Sequence, residues 1–370
     1  MQTSLFAPPT PCVPSTEGIK YAGSKLKILP YILECCSDID FQTVLDGFSG
    51  STRVSQVFAK LGKHVTANDL SDWSRVFAEC YLLNNKPSRE YQELINHLNA
   101  LPGSDGWFTE HYGGDPEVKT AIKKPFQIKN TRKLDAIREE IDRLSLIGIE
   151  RAVALSSLIL ALDSVDSTLG HYVSYLAEWS PRSYKDLTLK VPAVFIPEGS
   201  NSVSQSDIFS ILPSTDVDLA YLDPPYGSNN EKMPPSRVRY ASYYHIWSTV
   251  IRNDRPQLFG KASRREDTRD TIAASLFEEF RRGDDGKYIA LQAIEKVIKQ
   301  VSARHVLLSY SSGGRATKGE LYDILSTSGK VKKIMEIDYK KNVMAAMSWT
   351  NDWVSDSGAH KEYLFLVEKI

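Results

Sequence analysis

The chain has 370 residues, 42% hydrophobic and 25% charged, enough for one large domain or two ordinary ones, each with its own core. No apolar run approaches the ~20 residues that cross a bilayer, and the polar, proline-rich start from Met1 to Ser15 lacks the apolar core of a secretory signal. A soluble, cytoplasmic protein without a membrane partner is expected, and the formal net charge of -1 excludes a surface basic all over while leaving room for one basic face.

Phe41 to Asp46 is a short apolar run that stops at a carboxylate and enters Gly47-Phe48-Ser49-Gly50-Ser51, the pattern of a strand ending in a tight turn. From Thr52 to Leu61 the apolar positions Val54, Val57, Phe58 and Leu61 keep helical spacing until Gly62, and Lys63 to Asn68 reads as a second strand. Strand, glycine turn, helix and strand make a βαβ unit, the nucleus of a doubly wound sheet. Between Ser71 and about Pro181 long amphipathic stretches, among them Leu134 to Leu144 and Ala152 to Leu162, read as a helical insertion. Strand-like runs return at Ala193 to Ile196, Val217 to Leu222, His305 to Tyr310 and Leu364 to Val367. The four cysteines, Cys12, Cys35, Cys36 and Cys80, lack paired Cys/His ligand spacing, so free thiols and no metal site are expected.

A glycine-rich turn at the carboxyl end of the first strand lets backbone approach a bound small molecule, and a carboxylate about 20 residues on can hold ribose hydroxyls. Gly47 and Gly50 supply the turn and Asp69 the carboxylate. The pattern departs from Gly-x-Gly-x-x-Gly, which favours a ligand without phosphates. Each residue also has a plainer reading: a simple turn for the glycines, a solvated strand end for Asp46 and a helix cap for Asp69. Lys25, after Tyr21 and Gly23, is either a solvated lysine or a cation for a carboxylate. Asp207 either caps Ile208 to Leu212 or accepts from an adenine amine.

Val217 to Leu222 runs into Asp223-Pro224-Pro225-Tyr226, which places the tetrapeptide at the carboxyl edge of the sheet, where open α/β folds bind ligands. Two prolines hold the backbone extended, donate no N–H and leave carbonyls outward. An exocyclic base amine is a weak nucleophile because its lone pair is delocalised, and hydrogen bonds from its N–H groups to the Asp223 carboxylate and the Pro224 carbonyl return density to nitrogen. Tyr226 offers a ring face for a base rotated out of a duplex.

These motifs, in this order, resemble the Dam-like N6-adenine DNA methyltransferases of the alpha motif order, across most of the chain outside the insertion. KYAGSK, ending at Lys25, looks like the family's amino-terminal cofactor motif, VLDGFSGS its glycine-rich motif and AND its ribose-binding acidic motif. QSD looks like the adenine-contacting acid, LDPPYG the catalytic motif and VLLSYSSGG a later strand and turn near the target base. Ser49 stands where the family often has Ala. The resemblance implies S-adenosylmethionine as cofactor, held by Tyr21, Lys25, Asp46, Gly47, Phe48, Ser49, Gly50, Asp69 and Asp207, and catalysis by Asp223, Pro224, Pro225 and Tyr226 without a metal. It also implies a Rossmann-like α/β methyltransferase fold with a mixed, mainly parallel sheet from residues 1–70 and 193–370, and a mostly helical target-recognition insertion over 71–192. The implied reaction is N6 methylation of adenine in double-stranded DNA, in a restriction-modification system with a cognate endonuclease, or in a phage. RNA adenine methylation and a catalytically silent DNA-binding relative are the rival readings. Cytosine N4 and protein glutamine methylation fit less well, because related enzymes usually place Asn or Ser at the position of Asp223.

Two stretches offer cations to a phosphate backbone. Val118 to Arg138 carries seven basic residues against one acidic, and Asn230 to Arg265 carries eight against two. Lys123 and Lys124 in the first, and Asn229, Arg237 and Arg239 at the second, are the candidate DNA contacts, a solvated face being the alternative. For Tyr243, Tyr244, His245 and Trp247, core packing is favoured over support of a flipped base.

Overall fold

The computed structural model describes residues 12–118, 124–227, 240–269, 272–339 and 360–370. After a helical turn at Lys25–Lys27 come α1 (Leu29–Cys35), β1 (Thr43–Asp46), α2 (Arg53–Lys60), β2 (His64–Asn68) and α3 (Asp72–Leu82). The helical region continues through α4 (Gln92–Ala100), α5 (Trp107–Tyr112), the short parallel pair β3 (Gly113–Gly114) and β4 (Phe126–Gln127), α6 (Ile128–Arg143) and α7 (Gly148–Val165). Then follow β5 (Ser202–Ser204), α8 (Ile208–Ile211), β6 (Asp216–Leu222), α9 (Tyr240–Tyr243), α10 (His245–Arg252) and the small ladder β7 (Leu258–Phe259) with β8 (Arg264–Arg265). The chain closes with α11 (Ile289–Gln300), β9 (Ser302–Ser311), α12 (Lys318–Ser328), β10 (Gly329–Tyr339) and β11 (His360–Lys369).

Seven strands form one sheet in the order β10-β11-β9-β6-β1-β2-β5. All neighbours from β9 to β5 are parallel, while β11 runs antiparallel between β9 and β10. The mixed, mainly parallel sheet expected from the sequence is present. Its central strands are apolar because both faces are covered. Val44, Leu219, Tyr221 and Leu307 pack with Ile32 of α1 and Phe58 of α2 on one face. Leu45, Ala220, Leu222 and Leu308 pack with Ile294 of α11 and Leu321 of α12 on the other. The alternation along β6 and β9 is the period-two rule of a strand.

One expected strand is absent. Ala193 to Ile196 lies in extended chain without ladder pairing, and the sheet edge is instead made by Ser202–Ser204 against β2. Pro192 and Pro197 flank the run, and a residue without an N–H cannot continue a ladder. Its apolar side chains serve packing, for Val194 and Phe195 lie against the helical core, and the Phe195 carbonyl accepts from Asn84 at 2.8 Å.

That helical core joins Phe77 and Tyr81 of α3, Leu134, Ile137 and Ile141 of α6 and the length of α7 to Tyr244, Ile246, Trp247 and Val250, which follow the Asp223 turn in sequence. Tyr244, His245 and Trp247 are therefore core residues. α7 is apolar on nearly every side and correspondingly buried. Arg138, fully buried on α6, donates from Nε to the Val250 carbonyl at 2.5 Å and from Nη2 to the Ile251 carbonyl at 3.0 Å, closing the carbonyl end of α10. Its other partner is Asp142 at 2.8 Å. Arg138→Met, which strands those carbonyls, is expected to lower stability by roughly 2–4 kcal/mol in urea denaturation.

Candidate active site

β1 delivers Asp46 to the carboxyl edge of the sheet, and the next residue continues the pairing, the Gly47 N–H donating to the Tyr221 carbonyl at 3.0 Å. A Cβ on Gly47 would sit 3.0 Å from a Leu222 methyl and 3.1 Å from an Ile208 methyl, so glycine lets the β1–β6 junction close without moving those side chains. Gly50 has φ +48°, and its N–H donates to Asp69 Oδ2 at 2.9 Å. The other Asp69 oxygen accepts from the Ser71 N–H at 2.9 Å. Asp69 thus ties the glycine turn to the start of α3, and burial holds its carboxyl above the ordinary value despite those bonds. Asp207, as its plainer reading has it, caps α8 by accepting from the Phe209 N–H at 2.9 Å.

Asp46 is buried, accepts from the Ser55 hydroxyl at 2.5 Å through Oδ2, and has no partner for Oδ1 among the described residues. Burial pushes its carboxyl up to about 7. Tyr21 lies against Trp73 at 5.2 Å and Tyr244 at 4.9 Å between ring centroids, and the next N–H, of Ala22, donates to the Tyr244 hydroxyl at 2.7 Å. Lys20 anchors the same segment to the end of α7 through Asp166 at 2.8 Å.

Beyond β6, Asp223-Pro224-Pro225-Tyr226 turns outward beside the same glycine turn. Lys25 meets it there: its ammonium is 2.9 Å from Asp223 Oδ1 and 2.7 Å from Glu362 Oε1. Lys25 is 7% exposed, so the solvated-lysine reading is overturned; two carboxylates of the chain draw it inward. Burial by itself lowers its pKa, but Asp223 and Glu362 outweigh this and hold the ammonium above its ordinary value. The Tyr226 hydroxyl bonds to Asp223 Oδ1 and lies 2.8 Å from Glu362 Oε1, which also accepts from Ser309 at 2.7 Å. The Tyr226 ring packs edge-on against Tyr310 at 4.8 Å. Burial, opposed by Lys25 and reinforced by Glu362, raises the Asp223 carboxyl to about 6.

Every residue that the sequence nominates for cofactor or catalysis lines one cavity of about 240 Å³: Tyr21, Lys25, Asp46 through Gly50, Asp69, Asp207 and Asp223 through Tyr226. An unpartnered buried carboxylate oxygen, a glycine wall and an acid at the second strand suit a ligand with an ammonium, a ribose and an apolar base. The sequence reading missed two contributors. Residues 273–278 also wall the cavity, where Phe277 sits between Phe48 at 5.0 Å and Phe209 at 5.9 Å. Glu362 is the other, and its signal was present: two residues from Leu364 and four from Leu366, it shares their inward face of β11.

Of the nominated DNA contacts, Lys124 alone is among the described residues. Lys123, Asn229, Arg237 and Arg239 lie outside the described residues. Lys124 donates to the His111 carbonyl at 2.5 Å, and burial lowers its pKa. Much of the first basic stretch is bound internally: Lys129 pairs with Asp186 and Arg132 with Asp105, both at 2.6 Å, and Lys133 donates to the Asn99 carbonyl at 2.6 Å. In the second stretch, Arg265 is buried between Asp254 and Asp267.

Residues 21–281 match the profile of the D12 class N6 adenine-specific DNA methyltransferases. The chain belongs to this family. Its sheet is accordingly that of an S-adenosylmethionine-dependent methyltransferase, a Rossmann-like fold with helices added after β2. Modification methylase StsI of Streptococcus sanguinis is 29% identical over 87% of this chain and 48% of its own length. Modification methylase LlaI of Lactococcus lactis subsp. lactis is 27% identical over 86% of this chain and 50% of its own length. The chain thus spans about half the length of these two relatives. Type II methyltransferase M.NlaIII of Neisseria lactamica is 24% identical over 95% of this chain and 99% of its own length.

Gly50→Val places a branched Cβ at positive φ and 3.3 Å from the Tyr21 ring. It is expected to weaken S-adenosylmethionine binding at least about tenfold by titration calorimetry, with the fold retained by circular dichroism.

Proposed function

We propose that this chain is a site-specific methyltransferase that moves a methyl group from S-adenosylmethionine to the N6 amine of adenine in duplex DNA. The observation that carries the reading is the single cavity joining the glycine turn and Asp69 to Asp223-Pro224-Pro225-Tyr226. The bound donor brings an already activated sulfonium methyl, so the chain has to orient the amine, exclude water and accept protons. Asp223 and the Pro224 carbonyl accept the amine hydrogens, and Tyr226 positions Asp223 through its hydroxyl. Asp46, with its free buried oxygen, takes the donor's ammonium, and Asp69 the ribose hydroxyls. We further propose that 71–192, with α10 packed into the same core, forms the target-recognition unit. We also propose the cytoplasm as its compartment and a role in host protection beside a cognate endonuclease, the latter supported by the relatives' names, modification methylases and a type II methyltransferase.

Labelled-methyl transfer to unmethylated duplex DNA and to structured RNA, each digested to nucleosides, tests the substrate: N6-methyladenine is expected from DNA. Label confined to RNA overturns the DNA reading, and no transfer by a chain that binds both donor and DNA favours a silent relative. Asp223→Ala is expected to keep donor binding and reduce transfer by more than about a thousandfold; transfer near the parent rate removes Asp223 from the chemistry.

Asp46 makes donor binding pH-dependent. Its folded-state pKa is raised to about 7, so below that value the empty site holds a proton, and an ammonium seated at Oδ1 favours the carboxylate and expels it. Binding is therefore expected to release protons below that value and to tighten as pH rises through it. Calorimetry in buffers of different ionisation enthalpy measures the release, and Asp46→Asn is expected to abolish it. Equal release by both forms excludes this role.

A further inference from the structure

Resting on that reading, we propose that Glu362 is a positioning residue of the methyl-transfer site, supplying surplus negative charge that keeps Lys25 from neutralising Asp223. Glu362 stands on β11, outside every motif of the catalytic and cofactor sets, yet it is buried and meets the same ammonium and the same hydroxyl as Asp223.

A buried ammonium needs a counter-charge, and one carboxylate suffices. Here there are two, both within 3 Å of Lys25, so the cluster carries one more negative charge than its burial requires. Two neighbouring carboxylates repel, and folding alone gives no reason for the second. The reaction does. As the amine nitrogen bonds to carbon, the carbon–sulfur bond breaks with its electron pair left on sulfur. Positive charge passes from sulfur to nitrogen, which then loses one proton to regain neutrality. A site of net negative charge at the amine favours that displacement and receives the proton.

The hydrogen bonds agree. Lys25 and the Tyr226 hydroxyl both approach Oδ1 of Asp223, leaving Oδ2 for an amine in the cavity. Glu362 shares the same two groups, with Ser309 fixing its own carboxylate. Asp46 is a further carboxylate, and the charge of Asp223 adds to the burial that raises it. The facing hydroxyls of Tyr221, Tyr226 and Tyr240 are kept neutral by burial.

The test uses the full chain and two variants. Glu362→Gln keeps shape and acceptor but loses charge; Glu362→Asp keeps charge on a shorter stem. In single-turnover transfer to unmethylated duplex DNA, Glu362→Gln is expected to slow at least about tenfold and Glu362→Asp to stay within about threefold of the parent, with donor affinity moving less than about threefold in both. A readout independent of turnover is the carboxyl titration of Asp223, followed by carbon-13 NMR and assigned with Asp223→Asn. In Glu362→Gln its midpoint is expected to fall from about 6 toward the ordinary value of about 4, with no loss of thermal stability. Parent-like transfer by Glu362→Gln, equal slowing in both variants, an unmoved Asp223 midpoint, or a lowered melting temperature in Glu362→Gln would each overturn the proposal. If the midpoint falls as expected while the parent puts no label on adenine, the substrate reading fails and the charge cluster stands.

Discussion

The arrangement of this protein depends on one buried ammonium. Lys25 has left water, and a charge in that position must be met by carboxylates at hydrogen-bonding distance. The carboxylates come from Asp223, after β6, and from Glu362 on β11, 337 residues after Lys25. The amino-terminal segment, the proline turn and the last strand converge on it, although one carboxylate would balance the charge. β11 reaches this point because it inserts antiparallel between β9 and β10, so that its amino-terminal half faces the carboxyl edge where the parallel strands end.

A second constraint joins the helical layer to the same edge. The segment that carries Lys25 is also held by Lys20 to Asp166 and by Tyr21 to Trp73 and Tyr244. Asp166 is fully buried and paired with Arg182 as well, so this anchor lies inside the helical core. The wall of the cavity and the interior of the helical unit are thus continuous, with Tyr240 and Ala241 of α9 lining the cavity and α10 packed into that interior. A partner seated on the helices bears on elements that also position Tyr21.

Legibility followed locality. The strand ending at Asp46, the turn through Gly47 and Gly50, and the strand into Asp223 were readable because their requirements are met within a few residues: alternating apolar positions, a positive φ at Gly50, prolines where no N–H is needed. Ala193 to Ile196 misled because apolar residues suit a packed coil as well as a strand, and only its proline flanks spoke against a ladder. The basic stretches show another limit of a linear reading. A sequence counts the charges of Lys129, Arg132 and Arg138 but not the partners that fold back on them. Glu362 is the reverse case, a charge whose place on an inward face was readable while its purpose was not.

The sequence by itself determined the class of chemistry, because Asp223-Pro224-Pro225-Tyr226 at a strand end and a glycine turn with a later carboxylate are local demands on backbone and donors. Only the tertiary structure decided which charges face each other. It made Lys25 an internal cation shared by two carboxylates, and turned Arg138 from a surface charge into the closure of a helix end. It also brought residues 273–278 to the cavity, and Glu362 of β11 to the Lys25 and Tyr226 that line it. Such pairings depend on where elements meet in space, and no spacing along the chain encodes that distance.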